Sequence, residues 1–329
     1  RPLPKPDGRR HAALPRVVSR QAQFHEQLNT FMQALWMLLG AFFFAAMGVC
    51  VKFGSAYFNS AELVFYRGVV GFVFLGLMAR HQNISLRTQY PWMHVTRAAI
   101  GVTSLSAWFY AIAKLPLATA MTLNYMSSVW VAAFIVGGSL LHWNPKKKQN
   151  PLTQGPLALT VLAGFAGVIM VLRPSMAQDQ IFAGLVGLMS GLVAAFAYMQ
   201  VMALGRVGEP ETRTVFFFAI GTTLAGLVGM GFAGVSAWDW GHAVWLIPVG
   251  LFASLGQLCL TRAYSQGATL VVANLQYSGI VFSALFGLFL FEDDIPLVGW
   301  LGMALIIISG MTATLLRART APKAPAEEH

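Results

Sequence analysis

The chain has 329 residues, of which 57% are hydrophobic and only 10% charged, and its formal charge is +10. A water-soluble globule carries about 25% charged residues, so this chain has too few polar groups to cover a soluble surface. A nucleic-acid binder is excluded because Lys and Arg stand between apolar runs instead of clustering on an aromatic-interleaved face; a disulfide scaffold is excluded because Cys50 and Cys259, the two cysteines, lie inside such runs.

Residues 1–30 form a basic tail. Leu14, Val17, Val18, Phe24 and Leu28 fall on one helical face with Arg16 and Arg20 beside it, so the tail is either an interfacial helix on an anionic leaflet or a solvated basic segment. No cleavable signal is expected, because polar and basic residues precede the first apolar run. Ten runs then follow, each long enough to cross a hydrocarbon core of about 30 Å as a helix. They are Phe31–Val51, Ala61–Met78, Val95–Ala113, Ala118–Leu141 and Gly155–Leu172, then Ile181–Leu204, Thr214–Gly234, Ala243–Leu260, Ala268–Phe291 and Pro296–Leu316. Helices are forced because lipid offers backbone polar groups no partner outside the chain. Residues 317–329 form a second tail.

Charge bias sets the orientation. With the N-terminus on the cytoplasmic side, the inner segments hold 18 Lys and Arg, the link residues Arg80, Arg87 and Arg97 among them. The outer links hold three, Lys52, Lys114 and Arg173. Both termini are therefore expected in the cytoplasm, in a bacterial inner membrane.

The two halves repeat. At a shift of 150 positions, Ser104-Leu105 falls on Ser254-Leu255, Ala118-Thr119 on Ala268-Thr269, Asn124 on Asn274, Ser128 on Ser278 and Gly137 on Gly287. After the Lys146–Lys148 link the shift becomes 146, and Gly164 falls on Gly310. Residues 31–172 and 181–316 thus form two five-helix units. An odd number of spans per unit threads the two in opposite directions, a recurrent plan of secondary transporters with the site at the repeat interface.

On these features the chain resembles the drug/metabolite transporter superfamily, specifically its ten-helix EamA-like family. The 5+5 repeat, Arg67 in the second helix, the stretch from Ala268-Thr269 to Glu292, the acid closing the ninth helix (Phe291-Glu292-Asp293) and the glycines Gly299, Gly302 and Gly310 carry the resemblance. Two departures stand out. His142 occupies the first-half position of that acid, and the family's proline is missing from the fourth and ninth helices, where Ser128 and Ser278 stand. The first half also looks somewhat like S-adenosylmethionine-uptake-type members. The resemblance implies an all-α membrane fold and a carrier of amino-acid-like or nucleotide-like metabolites, with a cavity lined by helices one, three, four, six, eight and nine.

Polar stripes fall on those helices. Asn124, Ser127 and Ser128 share one helical face, and Asn274, Tyr277 and Ser278 share the equivalent one. Trp108 and Tyr110 in the third span, Tyr198 in the sixth, and Gln257 and Thr261 in the eighth complete the candidate substrate-binding set. Such residues also tie helices together at about 0.6 kcal/mol each, so every serine carries a packing reading beside the binding one. A buried Arg must pair, snorkel or meet an anion, which makes Arg67 either a structural contact or an anion contact. Gly187 with Gly191, and Gly279, Ser283 and Gly287, are spaced as packing ladders.

No Asp or Glu lies deep in a span, which favours facilitated diffusion or exchange and leaves Glu62 and His142 as the groups for any proton coupling. No catalytic set, cofactor or metal site is expected. The expected partners are a small-molecule substrate and the bilayer, with no nucleic acid; the oligomeric state is left open. The competing readings are a membrane-embedded transferase, which needs a His or carboxylate constellation the seven scattered histidines do not supply, and a receptor or scaffold, which lacks a soluble domain to report a signal.

Overall fold

A computed structural model describes the backbone of residues 16–127, 129–130, 133, 155–172, 178–265 and 275–320. Every regular element among the described residues is helical. In chain order these are α1 (Arg16–Gly54), α2 (Ser60–His81), α3 (Pro91–Lys114), α4 (Leu117–Asn124), α5 (Gly155–Leu172), α6 (Gln178–Arg206), α7 (Glu211–Ala233), α8 (Leu246–Ser265), α9 (Ser278–Leu290) and α10 (Leu297–Thr320). A 3₁₀ turn, Ala243–Trp245, leads into α8.

Among the described residues, five stretches are long and apolar enough to cross a membrane: Leu35–Gly54, Ser60–His81, Gln180–Arg206, Glu211–Ala233 and Ala243–Tyr264. Shorter apolar helices run over Ala158–Met170, Ser278–Leu290 and Leu297–Thr312. Outward faces are apolar, with Phe72, Val73 and Leu77 on α2 and Leu224, Leu227 and Val228 on α7 exposed. Water would penalise such a surface and lipid does not. The chain is therefore an all-helical integral membrane protein. α1 continues without interruption from Arg16 into the first of these stretches.

Local chemistry sets the helix starts. At α2 the Asn59 side chain accepts from Glu62 N–H at 3.1 Å while the Glu62 carboxylate accepts from Asn59 N–H at 2.8 Å, a reciprocal cap. α3 opens on Pro91 and α4 follows Pro116, residues that cost nothing where a helix has no N–H partner to lose.

Packing runs mostly between distant segments. α2 lies on α7 and α8, α1 on α8 and α9, α3 on α6 and α7, α4 on α6 and α9, and α5 on α10.

Two of the expected spans are corrected. The fourth does not run on as one helix from Ala118: α4 stops at Asn124 and turns at Tyr125-Met126 before helix resumes. In the ninth, a turn at Gln276-Tyr277 precedes α9. Around both turns the hydrogen bonds tighten to three-residue steps, Met126 N–H to the Leu123 carbonyl and Gly279 N–H to the Gln276 carbonyl. Both breaks form without proline. At the first, the backbone of Gly191 on α6 presses on the Leu123 and Asn124 carbonyls, so tertiary contact accompanies the break where sequence offers no breaker. Ser128, His142 and Asn274 lie outside the described residues.

Candidate substrate cavity

Helices α1, α2, α3, α4, α6, α7 and α8 enclose a cavity of about 50 Å³. Its wall includes Phe44 of α1, Arg67 of α2, Arg97 and Trp108 of α3, Asn124 of α4, Tyr198 of α6, Phe218 of α7 and Gln257 of α8. A water claims about 30 Å³ of liquid, and ligand pockets run to about 300 Å³ or more. The cavity has room for a few waters.

The wall is rich in hydrogen-bond donors. Arg67 and Arg97 are only 5% and 3% exposed. Both guanidinium groups lie over the ring of Phe218, at 5.1 and 4.1 Å from its centroid, a cation–π arrangement that offsets part of their desolvation. Arg67 Nη1 donates to Thr222 Oγ1 at 3.3 Å. Arg67 Nε, Arg97 Nε and Nη1, and Trp108 Nε1 have no acceptor among the described residues. No Asp or Glu is among the described residues lining the space.

Arg97 corrects the sequence reading, which set it in an inner link. It lies two turns into α3, and the stripe Arg97, Gly101, Ser104, Leu105, Trp108 faces the cavity at helical spacing. The absence of a side chain at Gly101 is what lets the Arg97 guanidinium fold back along the helix; a Cβ there would collide with Nη1.

Of the candidate residues, Arg67, Trp108, Asn124, Tyr198 and Gln257 come together here. Asn124 is already engaged: its amide donates to Ser190 Oγ at 3.0 Å, while Ser104 Oγ donates to the Ser190 carbonyl at 2.8 Å. Ser190 thereby ties α3 and α4 to α6. Tyr198 belongs to a second network, in which Gln276 Nε2 donates to its hydroxyl at 3.1 Å and Tyr264 O–H donates to Gln276 Oε1 at 2.9 Å. Sequence reading passed over Ser190, Gln276 and Phe218.

The other described candidates do not reach the cavity. Tyr110, two residues past Trp108, points to another helical face and meets Phe182 edge-on. Thr261 is buried one turn beyond Gln257. Ser127 is buried at the α4 turn. Tyr277 packs against Gly310 of α10. The Ser278 hydroxyl donates to the Leu275 carbonyl at 2.7 Å, holding the second turn.

Each end of the bundle is fastened. At one rim Lys52 Nζ donates to both Asp293 carboxylate oxygens, at 2.9 and 3.1 Å. The N–H of Leu117, first residue of α4, donates to Asp293 Oδ2 at 3.0 Å. Phe53 stacks on Trp245 and meets Phe291 beside this clasp. Glu62 accepts from Ser236 N–H and Oγ on the same rim, at 3.0 and 2.6 Å, so its carboxylate is occupied in joining α2 to the segment after α7.

α2 leads to the opposite rim, where Glu209 accepts from Thr88 Oγ1 at 2.7 Å and from Arg213 at 2.9 Å, with His94 Nε2 3.5 Å away. Burial alone would raise the Glu209 carboxyl. The hydrogen bonds from Thr88 and Arg213, with the positive charges beside it, outweigh burial and hold its pKa below the usual glutamate value.

Comparison with known proteins fits this geometry. The EamA-like transporter family matches residues 31–173. The pseudopaline exporter of Pseudomonas aeruginosa is 32% identical over 80% of this chain and 88% of its own. A riboflavin transporter of Rhizobium johnstonii is 28% identical, covering 84% and 89%. The S-adenosylmethionine uptake transporter of Rickettsia felis is 23% identical over 93% and 99%. One solved crystal structure, 19% identical, covers 89% of this chain and 98% of its own with a TM-score of 0.53, a likeness of fold. The chain belongs to the EamA-like family of the drug/metabolite transporters, and is a membrane transporter rather than an enzyme.

Proposed function

We propose that the protein is a secondary transporter that moves a small organic metabolite, amino-acid-like or nucleotide-like, by alternating access between two inverted five-helix halves. The halves are residues 31–172 and 181–316, with both chain ends on the cytoplasmic face of a bacterial inner membrane. The observation that carries this reading is a cavity walled by both halves, with a side-chain clasp at each rim of the bundle.

The helix pairing supports the symmetry. Exchanging α1–α5 for α6–α10 in order turns the α1–α8 contact into α6–α3, α2–α8 into α7–α3, and α1–α9 into α6–α4, all of which occur. The α2–α7, α4–α9 and α5–α10 contacts map onto themselves. At the shift of 150, the turns at Tyr125-Met126 and Gln276-Tyr277 fall within one residue of each other. Bacterial relatives named as carriers of pseudopaline, riboflavin and S-adenosylmethionine support a metabolite as cargo. Broken helices facing a central site are a recurrent device of such carriers.

The test uses the full chain with Cys50 and Cys259 replaced by alanine and Ala197, on the cavity wall, replaced by cysteine. In proteoliposomes of known orientation a membrane-impermeant thiol reagent reaches Ala197→Cys from either side in turn. Labelling from one side only, under all conditions, rejects alternating access.

A further inference from the structure

We propose that the cavity is an anion site, in which Arg67 and Arg97 together receive a carboxylate or phosphate group of the transported molecule. The proposal rests on the transport reading above and names the substrate class.

Three observations carry it. First, two cations sit buried beside one cavity with no acid among its described lining residues. Within a protein a buried cation is retained when it is paired or holds a ligand. Their shared neighbour, the Phe218 ring, contributes a quadrupole and no counter-charge. Second, donors prevail among the unsatisfied atoms of the wall. Arg67 Nε, Arg97 Nε and Nη1 and Trp108 Nε1 can only donate, and the Tyr125 hydroxyl can donate as well as accept. Guanidinium donors in a fixed fork match the paired oxygens of a carboxylate or phosphate. Third, the two arginines come from adjacent helices and converge on one ring, so a single oxyanion lying against Phe218 meets both. Trp108, eleven residues further along the same stripe, offers a flat apolar surface for the remainder of an organic anion. Gly101 keeps the Arg97 guanidinium free to lie along the helix and turn toward the ligand.

The cavity is small and its donor atoms are buried, so an anion enters when one rim opens further. A purely structural pair would place each guanidinium on backbone carbonyls or carboxylates. Among the described residues, the one acceptor found for either is the Thr222 hydroxyl, itself donating to the Phe218 carbonyl at 2.7 Å.

The experiment uses the full chain purified in neutral detergent and melted at constant ionic strength. Chloride is compared with succinate, inorganic phosphate, the neutral diamide succinamide and phosphatidylglycerol micelles, each at about 10 mM so that a weak ligand still stabilises by mass action. Succinate or phosphate raises the melting temperature and succinamide does not. Arg67→Gln and Arg97→Gln each weaken the apparent affinity about tenfold or more, as loss of a charge-assisted pair requires, while Arg97→Lys retains part of it. In chloride the Gln variants melt no lower than wild type, because removing an unpaired buried cation relieves a cost.

The proposal is overturned if wild type responds to neither anion, if the Gln variants respond as wild type does, or if only phosphatidylglycerol stabilises. Gln variants that melt far lower in chloride, with Arg97→Lys restoring the melting point but no anion response, also overturn it and make the pair a structural brace. Two-sided labelling of Ala197→Cys with no anion response rejects the anion site alone; one-sided labelling rejects the transport reading.

Discussion

At the scale of single residues, the cavity depends on where one side chain is missing. Gly101 leaves room for the Arg97 guanidinium. The obstruction from Gly101→Ala falls mainly on the end of the flexible Arg97 side chain, with the Phe218 ring at 2.8 Å shifting slightly, so the fold survives. The expected outcome is a melting temperature in chloride within a few degrees of wild type, a cost of about 1 kcal/mol, and an oxyanion response reduced several-fold. A melting curve with unchanged oxyanion response would show that Arg97 has no need of this space. Arg97 lies inside the third run, Val95–Ala113, but near its start, where an arginine reads as one more inner-link charge. The stripe of Arg97, Gly101, Ser104 and Trp108 was legible at helical spacing, and it would have drawn the arginine inward. Arg67, Trp108, Asn124, Tyr198 and Gln257 were legible because a polar group in an apolar run must face a partner or a cavity. Which of the two it faces was not legible: the bond from Asn124 to Ser190 depends on α6, far away in sequence.

At the scale of elements, helices were legible from apolar length and their interruptions were not. A proline announces a break; Tyr125-Met126 and Gln276-Tyr277 carry none. The first break coincides with a close approach of α6, whose Gly191 would bring a Cβ within 2.8 Å of the Asn124 carbonyl oxygen. The spacing of Gly187 and Gly191 marked a packing ladder, and Gly187 meets Ala111 and Leu123 there. The clash at Gly191 is with backbone, which cannot swing aside. Gly191→Ala is expected to cost about 1–3 kcal/mol, read as a lower melting temperature and a smaller folded fraction in detergent. Gly231→Ala, with open space around it, serves as the control and is expected to leave the protein unaltered or slightly stabilised.

For the whole molecule, the two rims make separate predictions. Asp293→Asn keeps a group able to accept from Leu117 N–H but removes the charge opposite Lys52. The loss of about 1 kcal/mol is expected to raise the labelling rate of Ala197→Cys about fivefold from that face and to leave the other face unaltered. Equal rates in the two proteins would show that the clasp does not restrain opening. At the opposite rim the Glu209 pKa is depressed. Its contribution to stability is thus fully present above the ordinary glutamate range and is lost as the pH falls through the folded-state value. A Glu209→Gln variant should lack that contribution at neutral pH and show a flatter acid limb in a plot of melting temperature against pH. Parallel limbs for the two proteins would remove Glu209 from the account.

The Asp293 clasp also sits at one end of two short rods. α4 begins at Leu117, whose N–H bonds to Asp293, and its eighth residue, Asn124, stands at the cavity wall. α9 starts at the second turn and runs back to the same carboxylate. At about 1.5 Å per residue, α4 carries a displacement roughly 12 Å without bending. Cargo wedged between the inner tips would therefore push directly on the outer tips, prising the latch by leverage with no relay of side chains in between.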